Sequence, residues 1–350
     1  VKRIDAYASR WHYLDHIAPI WRALPDEYRG DVLIEKPQLR AHPLVAEAEG
    51  RLRQKVKPHT ISRVLVASSA DAKIAARYRW GTALLEHGAG QLYQGGKPSS
   101  SGPGGPQRTT VGLFLCTNEA VAAANAAAYG AHRCVVVGSP RLEDLALARS
   151  LHVPSEPPVL ALTWHWACRV APPWSETLLF AAENALSLLA ERWRGPIIGT
   201  SHPRIWLAAR NRYEAAGIEP VQSWPEVIRR ADVLSFDNTS AGFEAAALGI
   251  PVVLLESPLW DRGTRHGLRF WEWAGIGSSV RTDGSSEDLA ARWVDGVVEA
   301  LTHRDRYAPV AAAMTEEVSP HREDSTERAV AALLRWVGSP HDAVPSDVAG

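Results

Sequence analysis

Short apolar runs alternate with longer stretches of helical periodicity from the first residues onward. Residues 4–8, 32–34 and 62–67 read as strands, each followed by a helical pattern at 13–24, 44–54 and 70–79. Three β/α units in succession predict a parallel sheet, and strands this apolar need cover on both faces. The alternation continues with strands at 83–85, 111–116 and 133–137, a helix at 119–129 and another from Leu142. Between 88 and 110 the chain turns rich in Gly, Pro and Ser, which predicts a mobile lid or excursion. It lacks the GxxxxGKS/T pattern of an ATP-phosphate cradle. The run HVPSEPP at 152–158 has the composition of a linker. A second series follows, with strands at 159–163, 196–199, 221–223 and 252–255 and helices at 176–192, 205–216, 226–231, 286–302 and 325–337. The expected organisation is an N-terminal α/β domain over 1–150, a linker over 151–158, a C-terminal α/β domain over 159–337 and a loose tail over 338–350.

One stretch joins strand to helix through a cluster of oxygen ligands. In ADVLSFDNTSAGFEAAALGIP, residues 231–251, the apolar strand ends at Phe236, and Asp237, Asn238, Thr239 and Ser240 precede an alanine-rich helix stopped by Gly249 and Pro251. The first N–H groups of a helix lack intrahelical partners and face a positive dipole end, so hydroxyls placed there suit a diphosphate. The same residue types are also ordinary helix caps, and this stretch alone leaves both readings open.

Composition narrows the class. The chain has 350 residues, 46% of them hydrophobic, which is enough for two cores, and no apolar run reaches the roughly 18 residues that span a bilayer. With no signal-like apolar segment in VKRIDAYAS, the cytoplasm is the expected compartment. Cys116, Cys134 and Cys168 are widely spaced and form neither a disulfide framework nor a zinc pattern. Net charge is −1, but residues 1–150 carry 20 Lys and Arg against 13 Asp and Glu, leaving 18 against 26 of the totals for the rest. The basic excess gathers at 51–63 with Arg77 and Arg79, and it fits either a polyanionic partner or a solvated helix face.

Polar residues recur where strands end, the position at which open α/β sheets bind ligands. His87 follows 83–85, Ser139 follows 133–137, and Thr163 and His165 end 159–163. His202 and Arg204 follow 196–199, Asp237 to Ser240 follow 233–236, and Glu256 and Ser257 follow 252–255. A neutral imidazole at His87 can take a proton from a hydroxyl, with Gly88 and Gly90 allowing close approach. The planar Arg204 suits phosphate oxygens. Alternate Trp residues at 164 and 166 and at 271 and 273 either pack or flank a ligand ring. There is no HExxH, no Cys/His ligand spacing and no DxD pair, so a metal-independent site without a tightly bound cofactor is expected.

Together these segments resemble a known superfamily. EHGAG at 86–90, VGSPRLEDL at 137–145, ALTWHW at 161–166, SHPR at 201–204 and DNTSAGFEAAALGIP at 237–251 are similar, in order and spacing, to the WHG, G.PR.D, APTWR, HPR and DYSS...FE/D..LG.P stretches of CDP-glycerol glycerophosphotransferases and related GT-B glycosyltransferases. Glu86 and Asn238 depart from the usual Trp and Tyr. The resemblance implies an α/β, GT-B-like fold of two Rossmann-like domains facing a cleft, with the acceptor held by the N-terminal domain and a nucleotide-diphosphate donor by the C-terminal one. It implies His87 as base, His202 and Arg204 at the donor phosphate, Thr239 and Ser240 at the pyrophosphate and Glu244 toward the ribose; the strand-end residues Thr163, Asp237 and Asn238 are expected in the same donor site. Gly88, Gly90, Arg77 and Arg79 complete the acceptor side. The expected activity is transfer of a sugar, or a polyol phosphate such as glycerol phosphate, from a nucleotide-activated donor to an acceptor hydroxyl. The acceptor is a hydroxyl compound, with a polyol-phosphate polymer or modified nucleic acid fitting the basic half. Two alternatives stand beside it: a non-hydrolysing nucleotide-sugar 2-epimerase, and a nucleic-acid-binding protein without catalysis.

Overall fold

The computed structural model describes residues 3–55, 63–87, 108–166, 177–258 and 273–338. They form two compact units, one taking the described residues up to Glu143 together with those from Ser319 onward, the other Asp144–Val318. The excursion at 88–107, with Gly88 and Gly90, lies outside the described residues, as do Cys168, His266, Trp271 and the tail from 339.

The first unit is a parallel sheet. Its elements are β1 (Ile4–Ala8), α1 (Trp11–Ala23), β2 (Arg29–Ile34), α2 (Pro43–Glu47), β3 (Arg51–Leu52), β4 (Arg63–Val66), α3 (Ser69–Arg77), β5 (Gly81–Leu85), β6 (Val111–Cys116), α4 (Glu119–Tyr129), β7 (Cys134–Val136) and the start of α5 (Pro140–Ser150). The strands lie in the order β3-β2-β1-β4-β5-β6-β7. β4 and most of β1, β5 and β6 are buried and mainly apolar, as a sheet covered on both faces demands. The helix expected over 44–54 is only α2. Glu49 takes a positive φ of 50°, and a Cβ at Gly50 would meet Val45 at 2.5 Å, so the chain turns tightly there into the edge strand β3.

The second unit repeats the plan with β8 (Leu160–Thr163), α6 (Glu183–Arg192), β9 (Ile197–Gly199), α7 (Trp206–Ala215), β10 (Glu219–Pro220), α8 (Trp224–Arg230), β11 (Val233–Phe236), α9 (Ala241–Ala247), β12 (Val252–Glu256), β13 (Ser278–Arg281), α10 (Ser286–Thr302) and α11 (Arg304–Val318). Its strand order is β10-β9-β8-β11-β12-β13, all parallel. Helix α10 lies close on the sheet. A Cβ at Gly296 would meet Val280 at 2.5 Å, and Trp293 donates its indole N–H to Ser235 at 2.9 Å. Trp164, 1% exposed, packs edge-on against Trp293 and belongs to this core, not to a ligand platform.

Two expectations about organisation differ from the structure. Residues 152–158 are docked on the second unit, because Asp232 accepts from the backbone N–H of Val159 at 2.8 Å and pairs with His152 at 3.1 Å. The last helix, α12 (Ser325–Gly338), packs on the first unit: Ala329, Ala332, Leu333 and Val337 share a core with Ile4, Leu14, Ile17 and Leu115. Its first turn is held by Glu143, which accepts from the Ser325 hydroxyl at 2.6 Å and the Thr326 N–H at 2.9 Å. In each sheet the strand order reverses once, between β1 and β4 and between β8 and β11, and ligand crevices of α/β folds form outside the strand ends at such points. Among the described residues no helix is long and apolar enough to cross a membrane.

Candidate functional sites

In the first unit, β5 delivers Glu86 and His87 to the carboxyl end of the sheet, beside the β1/β4 reversal. Helix α1 supplies the ring shell around His87. His12, Tyr13 and His16 follow a helical spacing, and their ring centres lie 6.4, 5.3 and 5.2 Å from that of His87. Burial lowers the His87 pKa to about 4, against a smaller raising effect of the Ala67 backbone, so the imidazole is neutral at physiological pH with one nitrogen protonated. Its second nitrogen then carries a lone pair. Arg141 donates to His16 Nε2 at 3.1 Å, and because a guanidinium cannot accept, His16 is a neutral ring protonated on Nδ1. Burial first and Arg141 next hold its pKa well below the ordinary value. His12, His16 and Arg141 were not singled out as site residues from sequence; the spacing of His12 and His16 on one helix face was the available signal.

Behind His87 stands a polar network. Glu86 receives bonds from Arg108 through both oxygens and from Asn125 Nδ2 at 2.9 Å, and Arg108 Nε is held by the Ser69 hydroxyl at 2.8 Å. At the β1/β4 reversal the buried Asp71 accepts from the Ser9 N–H at 3.2 Å and ties the loop after β1 to α3.

The described arginines of the basic run do not gather at this site. Arg51 pairs with Asp31, Arg53 with Glu35 at 2.7 Å, and Arg63 is buried with its guanidinium over Trp336 at 4.9 Å. Arg77 and Arg79 are exposed and precede β5, at the end of the sheet opposite His87, so the structure does not bring them to His87.

In the second unit, the ends of β8, β9 and β11 converge. Asp237 is turned fully inward, accepting from the backbone N–H of His165 at 2.7 Å and of Leu178 at 3.1 Å. Burial raises its pKa to about 7 against the lowering effect of these bonds. It braces the β8 and β11 loops instead of facing a ligand. Thr163 is likewise buried, in register with Phe236. Asn238 is 1% exposed and Thr239 lies at the edge of burial, its hydroxyl accepting from Ala241 N–H at 3.4 Å. Ser240 occupies the cap position of α9 but makes no side-chain cap bond, so its hydroxyl is not spent as a cap. Glu244 is buried on α9, with Oε2 receiving the Trp224 indole N–H at 2.7 Å.

The loops after β8 and β9 build an aromatic and cationic corner. His202 N–H bonds the Trp164 carbonyl at 2.9 Å, which continues the β8–β9 pairing, and His202 Nδ1 accepts the backbone N–H of Arg204 at 3.1 Å. The remaining His202 nitrogen is therefore a donor. The Arg204 guanidinium lies 3.8 Å above the Trp166 ring, which stacks with His165 at 5.9 Å. Arg204 is exposed and, among the described residues, pairs with no carboxylate. His165 thus lies against both Trp166 and His202, at 6.1 Å from the latter. Among the described residues no group of three or more His, Cys, Asp or Glu could hold a metal ion.

No protein-family model matches the chain, and neither does any curated protein sequence. Solved structures do. A variant of the wall teichoic acid polymerase TagF superposes with a TM-score of 0.66 at 14% identity, covering 96% of this chain and 90% of that one. A UDP-N-acetylglucosamine 2-epimerase of Listeria monocytogenes gives 0.63 at 14%, covering 96% and 97%. The fold is GT-B-like. A UDP-GlcNAc 2-epimerase of Neisseria meningitidis, solved with UDP-GlcNAc bound, matches at 0.62 and 12%, over 96% of this chain and all of the other. The GT-B-like neighbours thus include both a polymerising transferase and epimerases, all nearly the length of this chain.

Proposed function

We propose that this GT-B-like protein transfers a sugar or a polyol phosphate from a nucleotide-diphosphate donor to an acceptor hydroxyl. The observation that carries the reading is the corner in which the exposed guanidinium of Arg204 rides on Trp166 beside the donor nitrogen of His202, two donors preformed for an anion. In this reading the diphosphate sits against Arg204, His202, Thr239 and Ser240, and these donors stabilise the charge that grows on the leaving group. His87 is the base. Its neutral ring removes the proton from the acceptor hydroxyl as that oxygen forms its new bond, and the bond to the leaving nucleotide breaks with its electron pair. Attack at an anomeric carbon releases a nucleoside diphosphate, whereas attack at the phosphorus of a polyol phosphate releases a nucleoside monophosphate.

Incubation with CDP-glycerol and with UDP-N-acetylglucosamine, each with a panel of sugar, polyol and polyol-phosphate acceptors, tests this. Acceptor-dependent nucleotide release is expected, and its loss on His87→Ala; release that is unchanged by that substitution removes His87 from the mechanism. The neighbouring epimerase structures favour a second reading. An epimerase would convert the UDP-sugar without any acceptor, so product analysis of the acceptor-free reaction separates the two.

A further inference from the structure

Glu86 and His87 follow β5 as consecutive residues, and their side chains have different surroundings. One meets a buried clamp, the other the ring shell of α1. Glu86 Oε1 takes the Asn125 amide N–H at 2.9 Å and Arg108 Nη1, Oε2 takes Arg108 Nη2 at 3.2 Å, and Arg108 is fixed further by Ser69 at 2.8 Å and by the Asn125 oxygen at 3.3 Å. Arg108 and Asn125 are 6% and 1% exposed. The Glu86 backbone N–H bonds Leu115 at 2.9 Å, so both backbone and side chain are held one residue before the imidazole. Such a network is rigid only while every member is satisfied.

We propose that Glu86 is a positioning residue for His87: its clamp by Arg108 and Asn125 fixes the direction of the imidazole, and its carboxylate offsets the Arg108 charge that would otherwise weaken the ring as a base. The inference rests on the reading of His87 as the base. The groups facing the ring are His12, Tyr13 and His16 from α1, Arg141 from the start of α5, and Glu86 and Arg108 from behind. Of these, Glu86 is the anion. Removing it leaves Arg108 and Arg141 acting unopposed on the imidazole.

The chemistry can be read without any substrate. Diethyl pyrocarbonate acylates neutral imidazoles at a rate that follows their basicity, and peptide mass spectrometry follows His87 separately, with the exposed His303 as internal reference. Glu86→Gln is expected to slow modification of His87 about threefold, the yield of a roughly tenfold loss of basicity when rate follows about its square root. Arg108→Gln, which leaves only Arg141 to oppose the carboxylate at the ring, is expected to speed it. Opposite signs are the signature, because simple loosening of the site would move both variants the same way. Equal signs, or no change at His87, overturn the proposal; should Arg108→Gln fail to fold, the Glu86→Gln rate against His303 decides alone.

Nucleotide release gives the second reading. Glu86→Gln is expected to lower kcat with KM little changed, and to have no further effect in a His87→Ala background. A Glu86 effect that persists there overturns the positioning role. Loss of the His87→Ala effect itself would instead overturn the transferase mechanism, so the two failures are distinguishable.

Discussion

At the scale of single residues, Asp237 and Ser240 stand three positions apart and have opposite roles. Asp237 holds two backbone N–H groups inside the second unit, whereas Ser240 makes no cap bond to α9. Asp237→Asn puts an amide N–H against one of those donors, with an expected loss of about 1–3 kcal/mol in urea unfolding. Ser240→Ala is expected to change stability by less than about 0.5 kcal/mol while weakening nucleotide binding measured by calorimetry. Sequence could place these oxygens at one strand end, but not say which faced inward. That depends on His165 and Leu178, which arrive from a different β/α connection.

Protonation at this scale pulls in two directions. The His87 pKa is lowered to about 4, so an unfolded chain takes up that proton first; the associated stability is present above pH 6.5 and is lost as pH falls toward 4, by about 3 kcal/mol. His16 acts in the same sense. Asp237, raised to about 7, and Asp71, raised to about 6, act oppositely, because the folded state protonates first and their contribution is lost as pH rises from 3.8 through those values. Melting temperatures between pH 4.5 and 7.5 should show a shallower acid-side decline for His87→Gln than for the unmodified chain. An unchanged decline would mean that the ring is not held neutral.

Among elements, the β/α alternation was legible because the buried parallel strands are mainly apolar along their length. Elements that bury little were not. Helix α11 has Pro309 inside it and buries Met314, Thr315 and Val318, and β13 buries only alternate residues of SSVR, so neither produced a strong periodic signal. Helix α12 was legible as a helix but not as to where it docks. Its apolar stripe specifies a covered face, and several sheets could cover it; Glu143 and the β1–α1 core do so. Leu333→Ala should therefore cost about 2–5 kcal/mol, read as a shift of the urea midpoint of the first unit, with the second unit's transition unmoved.

For the whole molecule, the GT-B-like fold followed from two β/α series together with motif order, while substrate identity did not, since UDP-GlcNAc epimerases and a teichoic acid polymerase share this fold at 12–14% identity. The aromatic corner was only half visible: His202 and Arg204 stood out, and the use of Trp166 as the surface beneath Arg204 did not. Arg204→Ala is expected to weaken nucleotide-diphosphate binding by about tenfold or more, the scale of a charge-assisted contact, with the melting temperature little changed. The first unit is completed by residues from Ser319 onward, whereas the described residues of the second all fall within Asp144–Val318. During synthesis from the N-terminus, the second unit is therefore the one able to finish folding first. The earlier-made sheet must wait, part of its core uncovered, until α12 leaves the ribosome.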